Sequence, residues 1–334
     1  MTDDPGTEGS VSPAADELFV PVVSGSAHPD SRVLPSAPVT RFAPAPTGLL
    51  HLGHLVNALY TWGIARATGG RVILRIEDHD RQRSRPEFEA VLLEDLERLG
   101  LVADEPPLPA FRSGATPYRQ SSVGPVYAAA LDRLRAEGLV YACSCSRTTF
   151  AASEAERGLP WRGIGCPGGC RAKSLPEAGG AGGVPGLRLA VGAGSEWWTD
   201  LLAGPLAEEP ASGGDLLVRD RAGNWTYAFC VVVDDMRHGV DLVIRGRDLL
   251  HSTPVQLRLA RLLGREAPPL FLHHPLVRRA SGRKLSKADG DTALRSLLDA
   301  GATPAGLFGR AARLAGLQAD EAPIDPTDLA ALFA

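Results

Sequence analysis

Two histidines beside a glycine, in the stretch RFAPAPTGLLHLGHL, have the residue types and spacing to handle a nucleotide. His51, Gly53 and His54 follow a short extended start and a proline-containing turn, and they open a helical pattern. A helix N-terminus presents unpaired backbone N–H groups to an anion, Gly53 permits close approach of a ligand, and imidazoles can donate to phosphate oxygens. The alternative is two surface histidines flanking a turn, because HxGH also occurs by chance.

Two lysines much later in the chain could act on the same nucleotide. Lys284 and Lys287 lie three residues apart in KLSKA, downstream of a strand-like LFLHHPLV run. Such lysines offer mobile positive charges that can converge on a triphosphate. Lysines on a loop are often only solvated, so KLSK alone is a weak signal. HxGH and KLSK near the two ends of one catalytic unit are a much stronger joint signal for a nucleotide site.

Charged residues at the ends of two predicted strands supply candidate ligands for an amino acid or a cation. The RVILRI strand delivers Glu77 and Asp78, with Asp80 after them, and the LVIRG strand carries Arg245. Ligands of open parallel sheets bind beyond the carboxyl ends of the strands. The acids could therefore hold a cation or an amine, and Arg245 a carboxylate. The alternatives are a solvated acidic turn and a surface ion pair between Arg245 and Asp248.

Four of the five cysteines form two close pairs, CxC and CPGGC, at Cys143, Cys145, Cys166 and Cys170. Two pairs separated by a hairpin-sized loop can form a closed four-thiolate tetrahedron, which is how structural zinc is held. The alternatives are two buried thiol pairs or a redox couple. Because cysteines spaced in this way indicate metal in a reducing compartment, we expect a cytoplasmic protein. Cys230 lies in an apolar run and is expected to pack in the core.

Length and charge limit the kind of protein and its partners. The chain has 334 residues, 44% of them hydrophobic and 22% charged, enough for one large domain or two modest ones. A formal net charge of −4 excludes an overall basic field, so a nucleic acid would have to meet a local patch. The sequence contains no membrane-spanning run and no signal-peptide pattern at its N-terminus, so no membrane partner is expected. We expect a monomer.

Strands and helices alternate along the chain, which predicts an α/β fold with a parallel sheet. A strand, helix, strand unit comes first, and its helix is expected from His54 to Thr68. Ser84-Arg85-Pro86-Glu87 has the capping-box pattern that starts a helix. Residues 171–214, rich in Gly, Ala, Pro and Ser, are expected to form an irregular connection with a small insertion.

Seven stretches resemble one family: RFAPAPTGLLHLG, LRIEDHD, the two cysteine pairs, TYAFCVVVDD, LVIRGRDLL and KLSK. From Arg41 to about Gly316 the chain is similar to the catalytic core of glutamyl-tRNA synthetases, a class I aminoacyl-tRNA synthetase family. HxGH and KLSK resemble the HIGH and KMSKS signatures of that class. The chain looks most like a shortened branch that lacks the anticodon-binding half. That branch attaches glutamate to the queuosine base in the anticodon of tRNA(Asp).

The resemblance implies a Rossmann-like class I synthetase catalytic domain with a parallel sheet, a small zinc-binding insertion and a short C-terminal helical segment. We expect a disordered N-terminal extension over residues 1–38 and a catalytic domain over residues 39–287. The zinc-binding and connective insertion is expected at about residues 140–214. Residues 288–334 are expected to be short helices, with no anticodon-binding domain.

The resemblance also implies roles for single residues. His51, Gly53, His54, Lys284 and Lys287 correspond to the catalytic signatures, and His51, His54 and Lys287 would bind ATP with its Mg²⁺. L-glutamate would be bound by the segment from Arg41 through Phe42, Ala43 and Pro44 to Ala45, and by Glu77, Tyr227 and Arg245. Glu77 would receive the ammonium group. Two guanidiniums, those of Arg41 and Arg245, suit a substrate with two carboxylates, because a buried unpaired charge is expensive. The four paired cysteines would hold one structural Zn²⁺.

This sequence departs from the family pattern at three positions. Ala45 stands where the family usually has serine, so one hydroxyl contact to the amino acid is missing. Ala288 replaces the last serine of the lysine loop. Cys166 stands where the shortened branch often has tyrosine, which gives a fuller thiolate set.

The implied activity is ATP-dependent activation of L-glutamate to glutamyl-adenylate, followed by transfer of glutamate to queuosine in tRNA(Asp). No protein nucleophile is required. Three alternatives remain: glutamyl transfer to a tRNA 3′ end, a class I adenylate-forming ligase that acts on a small molecule, and an inactive RNA-binding module. Intact His51, His54, Lys284 and Lys287 argue against the inactive module.

Overall fold

The computed structural model describes residues 19–20, 27–30, 33–146, 149, 166, 169–173, 175–177, 183–279 and 293–334. The predicted lysine loop, with Lys284, Lys287 and Ala288, lies outside the described residues. The strands are β1 (Phe19–Val20), β2 (Val39–Phe42), β3 (Arg71–Leu74), β4 (Val140–Cys143), β5 (Gly186–Leu189), β6 (Glu196–Asp200), β7 (Gly204–Glu208), β8 (Leu216–Arg219), β9 (Leu242–Gly246), β10 (Leu270–His274) and β11 (Arg278–Arg279). The helices are α1 (Leu52–Ala67), α2 (Pro86–Arg98), α3 (Pro109–Arg112), α4 (Gly124–Ala136), α5 (Tyr227–Arg237), α6 (Thr253–Leu262), α7 (Leu294–Asp299) and α8 (Pro304–Ala315). Short 3₁₀ segments include Arg247–Ser252 and Pro326–Leu332.

A parallel sheet brings the ends of four strands together. β2 and β3 pair in parallel, and β9, β10 and β6 form a second parallel set that β7 closes as an antiparallel edge. The two sets meet at β2 and β9, where the Asp241 N–H donates to the Val39 carbonyl at 3.0 Å. The carboxyl ends of β2, β3, β9 and β10 therefore lie close together. The predicted α/β fold with a parallel sheet is confirmed.

Helix α1 connects β2 to β3 and is buried along most of its length. It begins at Leu52, two residues before the predicted start, and it ends ahead of Gly69, whose φ of +69° is a conformation that glycine adopts without strain. α8 and the 3₁₀ segment Pro326–Leu332 pack against it. The approach is close at Gly63, because a Cβ there would come within 2.3 Å of the Phe333 ring.

The predicted capping box at the start of α2 is wrong. Pro86 does occupy the first turn, but Arg85 is the N-cap residue and makes no side-chain cap hydrogen bond. The buried Ser84 hydroxyl has no hydrogen-bond partner among the described residues. One residue of register separates Ser84 from the cap position, so the S-x-x-E pattern cannot close its reciprocal hydrogen bonds.

Two other expectations differ from the structure. Part of the N-terminal extension packs against the core: Ala27 is buried, its carbonyl accepts from the Tyr60 hydroxyl at 2.7 Å, and His28 Nε2 lies 3.1 Å from the Leu317 carbonyl. The stretch 171–214 contains three strands, β5, β6 and β7, and β6 belongs to the parallel sheet. These strands are only four or five residues long. Strands distant in sequence stabilise β5 and β6, whereas β7 pairs with its neighbour β6.

A separate antiparallel sheet, ordered β4, β5 and β8, carries the first cysteine pair at its end. Its apolar face packs with α4, α5 and α6 into a second core, which includes Tyr127, Phe229 and Leu259. Cys230 is fully buried there, as predicted. Within the described residues, no helix combines the length and the apolar character needed to cross a membrane.

Candidate active site

A cavity of about 590 Å³ opens where β2, β3, β9 and β10 end and α1 begins. Its lining includes every described residue to which the family resemblance gave a nucleotide or amino-acid role: Arg41, Phe42, Ala43, Pro44, Ala45, His51, Gly53, His54, Glu77, Tyr227 and Arg245. These residues come from the strands β2 and β9, from the start of α1, from α5 and from the segments that follow β2 and β3, which are distant from one another in sequence. Crevices beyond the carboxyl ends of parallel strands are the usual ligand sites of such sheets.

The two histidines of HxGH form the N-terminal cap of α1. His51 Nδ1 accepts from the Gly53 N–H at 3.1 Å, and His54 Nδ1 accepts from the His51 N–H at 3.1 Å. Because each Nδ1 is an acceptor, each neutral ring carries its proton on Nε2. The rings lie 4.0 Å apart and both line the cavity. The helix start therefore presents two imidazole N–H donors together with the positive end of the helix dipole.

The turn after β2 is held against the residues that follow β3. Beyond the paired strands, the Glu77 N–H donates to the Pro44 carbonyl at 3.1 Å, and the Arg75 N–H donates to the Phe42 carbonyl at 3.0 Å. Residues 42–45 thus form part of the cavity lining. Ala45, where a serine was expected from the resemblance, lines the same wall.

Arg75, which is fully buried, links two acids beneath the cavity. Its guanidinium donates to Glu77 Oε1 at 2.9 Å and to Asp235 Oδ1 at 2.7 Å. The second carboxylate oxygen of Glu77 has no hydrogen-bond partner among the described residues, and Glu77 lines the cavity. A buried carboxylate with a vacant oxygen can accept a donor such as an ammonium group.

Arg41 approaches the cavity from β2 and is already neutralised by the protein. Its Nε donates to Asp235 at 3.1 Å, and its NH1 donates to the Ile244 carbonyl at 3.0 Å. Burial alone would raise the pKa of Asp235, but the guanidiniums of Arg41 and Arg75 hold that pKa below its usual value. Asp235 is thus a carboxylate shared between two cations.

Arg245 differs from Arg41 because all its partners are neutral. The guanidinium donates to His273 Nε2 at 3.0 Å, to Gln256 Oε1 at 2.6 Å and to Thr253 Oγ1 at 2.8 Å. No described carboxylate lies within ion-pair distance, so the expected alternative of a pair with Asp248 is not formed. Burial lowers the pKa of Arg245, against the opposing effect of the nearby Tyr227. A 4% exposed guanidinium in this state is stabilised by any carboxylate that enters the cavity.

Asp78 and Asp80, predicted to hold a cation or an amine, occupy different positions. Asp80 lines the cavity, where its carboxylate binds Arg83 at 2.5 Å, and hydrogen bonds from Arg83 lower the pKa of Asp80 despite partial burial. Asp78 is not among the cavity-lining residues, and its carboxylate accepts from the Ser121 N–H at 2.8 Å. Of these two acids, only Asp80 reaches the cavity.

The four paired cysteines come together at the end of the antiparallel sheet. Their sulfurs all lie within 4.8 Å of one another and could hold a metal ion: Cys143, Cys145, Cys166 and Cys170. Cys145 Sγ is 3.8 Å from Cys166 Sγ and 3.4 Å from Cys170 Sγ. Arg188 donates to Cys143 Sγ at 3.2 Å. Burial opposes ionisation of Cys170, but hydrogen bonds from Cys145, from the Ser144 backbone and from Cys143 together outweigh burial, and the pKa of Cys170 falls to about 7.

Comparison with known proteins identifies the family of this chain. The family described as tRNA synthetases class I (E and Q), catalytic domain, matches residues 38–322. The chain belongs to the class I tRNA synthetases. The resemblance seen in HxGH, LRIEDHD and KLSK is therefore confirmed, and so is the expected class of enzyme, an aminoacyl-tRNA synthetase-type ligase.

Curated relatives match this class I tRNA synthetase over most of its length. The glutamyl-Q tRNA(Asp) synthetase of Symbiobacterium thermophilum is 44% identical over 298 residues, which are 88% of this chain and 91% of the relative. That of Rhodobacter capsulatus is 40% identical over 283 residues, or 80% of this chain and 97% of the relative. The glutamate-tRNA synthetase structure from Elizabethkingia anophelis is similar with a TM-score of 0.71 at 27% identity. The match covers 88% of this chain and 65% of the Elizabethkingia chain, so it spans less than two thirds of that structure.

Three residues beside the synthetase cavity received no role from the sequence. Arg75 stands inside the apolar strand RVILRI, where a charge requires a buried partner. Asp235 ends the run TYAFCVVVDD, and because that run is a helix, Asp235 shares a face with Tyr227 eight residues earlier. His273 is the penultimate residue of β10, the strand beside β9. The available signals were the charge of Arg75 inside an apolar strand and the position of His273 near the end of a strand. Neither signal identifies a partner residue unless the neighbouring elements are known.

Proposed function

We propose that this class I tRNA synthetase activates L-glutamate with ATP to form glutamyl-adenylate and transfers the glutamyl group to the queuosine base in the anticodon of tRNA(Asp). Two relatives with more than 90% of their length matched are named for glutamyl-Q and tRNA(Asp), which supports this acceptor. The side chains that line the cavity support binding of the amino acid and, separately, binding of the nucleotide.

The observation that carries the proposal is the state of Arg245. A buried guanidinium held only by neutral acceptors lines the same cavity as the capped start of α1. A substrate carboxylate supplies the missing counter-charge in a site shielded from water. Arg41, near the carboxyl end of the neighbouring strand β2, supplies a second guanidinium that shares its charge with Asp235. Glutamate has two carboxylates, so two guanidiniums fit it.

Glu77 is proposed to receive the ammonium group of glutamate, because its second carboxylate oxygen is unengaged by described residues. Residues 42–45 add backbone contacts, and Tyr227 closes the pocket beside Arg245. A hydroxyl at position 45 would add one more hydrogen bond, and Ala45 does not supply it.

ATP is proposed to lie over the start of α1, with its phosphates at His51, Gly53 and His54. An oxygen of the glutamate α-carboxylate attacks the α-phosphorus in line, the bond to the leaving pyrophosphate breaks, and glutamyl-adenylate forms. The Nε2–H groups of His51 and His54, together with the helix dipole, stabilise the negative charge that develops. Lys284 and Lys287 are proposed to bind the leaving pyrophosphate, with Mg²⁺ accompanying ATP. In the second step a hydroxyl of the RNA takes the glutamyl group and AMP leaves.

Zinc is proposed at the four-cysteine cluster. Tetrahedral zinc with Zn–S bonds of about 2.3 Å separates its sulfurs by about 3.8 Å, so the observed Sγ separations of 3.4 and 3.8 Å fit the ion. Cys143, Cys145, Cys166 and Cys170 would fill the coordination shell. A closed shell leaves no position for a substrate, so the ion would stabilise the fold at the end of the β4, β5, β8 sheet.

Glutamate-dependent exchange of pyrophosphate into ATP, measured without RNA, tests the first step. Exchange with glutamate and none with glutamine or aspartate is expected. Transfer of labelled glutamate is then compared between tRNA(Asp) with queuosine and the same tRNA without it, and only the first is expected to be labelled. Exchange that requires added tRNA(Glu) would instead indicate transfer to a tRNA 3′ end. Transfer of the glutamyl group to a small molecule, with no RNA present, would indicate a small-molecule ligase.

A further inference from the structure

A chain of buried polar side chains extends from Arg245 away from the cavity. Arg245 Nε donates to His273 Nε2 at 3.0 Å, and His273 Nδ1 lies 2.6 Å from Asp200 Oδ2. All three side chains are nearly inaccessible to solvent, and each belongs to a different strand, β9, β10 and β6. The chain thus crosses three parallel strands at the level where they end.

The hydrogen bonds around Asp200 determine the proton position on His273. Asp200 Oδ1 accepts from the backbone N–H groups of Leu202 and Ala203, at 3.0 and 2.9 Å, and Oδ2 also accepts from the His273 N–H. A carboxylate with both oxygens occupied as acceptors binds the protonated nitrogen of the ring, so Nδ1 carries the proton. Nε2 then carries a lone pair and accepts from Arg245.

His273 is neutral in this arrangement. Burial lowers its pKa, although the hydrogen bond to Asp200 opposes that effect, and the charge of Arg245 lowers it further. A protonated ring would place a second cation and an extra N–H donor against the Arg245 guanidinium. The neutral Nδ1–H tautomer satisfies both of its neighbours.

We propose that His273 and Asp200 are positioning residues for Arg245, which they hold in place for a substrate carboxylate without neutralising it directly. This rests on the proposed function, in which Arg245 binds glutamate. A carboxylate in direct contact with Arg245 would neutralise it, as Asp235 neutralises Arg41, and would compete with the ligand for its N–H groups. The His273 imidazole lies between the Arg245 guanidinium and the Asp200 carboxylate. Asp200 can therefore offset part of the cost of burying the guanidinium, while the N–H groups of Arg245 that face the cavity stay available to a ligand.

The count of donors supports this arrangement. A guanidinium has five N–H groups, and three of its donor contacts go to His273, Gln256 and Thr253. The remaining N–H groups can serve a carboxylate in the cavity that Arg245 lines. Loss of His273 would leave Arg245 Nε without its acceptor and would leave the buried Asp200 carboxylate without the imidazole N–H.

Replacement of His273 separates positioning from general stability. His273→Leu keeps the bulk but removes both ring nitrogens, and it is expected to raise the KM for glutamate in pyrophosphate exchange by at least about tenfold. The KM for ATP is expected to stay within about twofold, because no ATP contact is proposed here. His273→Gln, whose amide offers one acceptor oxygen and one donor NH₂ group, is expected to restore most of the glutamate affinity. Leu134→Ala, a core substitution in α4, controls for lost stability and should change neither KM.

The ring itself provides a readout that needs no substrate. In ¹⁵N-labelled parent protein, the His273 signals, assigned by their loss in His273→Gln, are expected to show a protonated Nδ1 and an unprotonated Nε2 between pH 6 and 8. An Nε2–H tautomer would overturn the proposal, because that ring cannot accept from Arg245. A folded His273→Leu variant with the parent's KM for glutamate would overturn it too, as would equal rises in both KM values. If the parent shows no glutamate-dependent exchange but has the expected tautomer, the proposed function fails while the support of Arg245 by His273 stands.

Discussion

Arg41 donates through Nε to Asp235 across 3.1 Å, and the side chains of both residues are more than nine-tenths buried. Arg75 binds the same carboxylate at 2.7 Å, so Asp235 holds two guanidiniums in a fixed relation. One of these, Arg41, lines the cavity, and the other orients Glu77. A single carboxylate on α5 thereby fixes groups from β2 and from the end of β3.

Asp235→Asn should unfold more easily than the parent. The substitution keeps the shape but leaves two buried guanidiniums short of a counter-charge, which is expected to lower the free energy of unfolding by about 3–5 kcal/mol. Urea denaturation followed by circular dichroism measures this. Asp132→Asn breaks an exposed pair with Arg135 and is the matched control, with an expected change below about 1 kcal/mol. Equal urea midpoints for Asp235→Asn and the parent would contradict a structural role for the shared carboxylate.

Arg245→Lys tests the multiple N–H donors of the guanidinium rather than its charge. A lysine keeps one positive charge but cannot hold three neutral acceptors and a carboxylate together, so the KM for glutamate should rise by about 10- to 100-fold. The KM for ATP should stay within about twofold. Initial rates of pyrophosphate exchange at varied glutamate and ATP measure both. Arg219→Lys, at an exposed arginine on β8, is the control and should leave both constants unchanged. A normal glutamate KM in Arg245→Lys would remove this residue from the amino-acid site.

His54→Ala separates the capping role of this ring from its role at phosphate. Loss of the cap should lower the free energy of unfolding by about 1 kcal/mol, whereas loss of a donor to the developing charge should slow exchange by about a hundredfold. Thr303→Ala is a matched control, because Thr303 Oγ1 accepts from the Gly306 N–H at 3.1 Å and caps α8 far from the cavity motifs in sequence. The control should lose similar stability and keep its exchange rate. Similar rates in the two variants would assign His54 a capping role alone.

Local patterns in the sequence predicted the cavity wall well. HxGH, the acids after RVILRI and the arginine in LVIRG all carry their signal within a few residues, and His51, Glu77 and Arg245 do line one cavity. Family resemblance placed Tyr227 there also, although the apolar run around it gave no helix prediction. A charged residue inside a strand or at its end indicated a place in the cavity wall wherever the neighbouring strand could be predicted.

Long-range pairing is what the sequence did not reveal. β6 lies in a stretch rich in small residues and was not predicted, yet β10 pairs with it and His273 binds its Asp200. The role of Asp235 depended on two arginines about 160 and 190 residues away in the chain. The capping box at Ser84 failed for the opposite reason, because a correct local pattern was offset by one residue in the folded chain. Contacts between distant elements decide such details, and no local periodicity encodes them.

Purified protein is expected to contain one zinc ion per chain, and Cys145→Ser should lose it. A serine hydroxyl is a poor zinc ligand, and because metal binding contributes folding free energy, the variant should also unfold at a lower temperature. Elemental analysis and thermal denaturation measure the two effects. Cys230→Ser alters the fifth cysteine, which is buried in α5 outside the cluster, and should retain zinc. Reduced parent protein that binds no zinc under stoichiometric titration would contradict the metal site.

His238 should make the fold sensitive to mild acid. Burial lowers the pKa of His238 to about 4, helped by the charges of Arg75 and Arg237, and neither ring nitrogen has a hydrogen-bond partner among the described residues. Between pH 6.5 and 4 the unfolded chain therefore binds a proton that the folded chain does not, so stability falls as the pH drops through this window. Below about pH 4 both states are protonated at this group, and its contribution stops changing.

His238→Phe should flatten this dependence. The ring stacks on Tyr118 with centroids 4.8 Å apart, a contact that phenylalanine preserves while removing two unsatisfied nitrogens. Urea midpoints at pH 7.5 and pH 5 are expected to differ more in the parent than in the variant, by the equivalent of about 2 kcal/mol once the partial exposure of the ring is allowed for. The carboxylates titrate equally in both proteins, so the difference between the two isolates this imidazole. If the difference between the urea midpoints at pH 7.5 and pH 5 were the same in His238→Phe as in the parent, the pKa of His238 would be equal in the folded and unfolded chains.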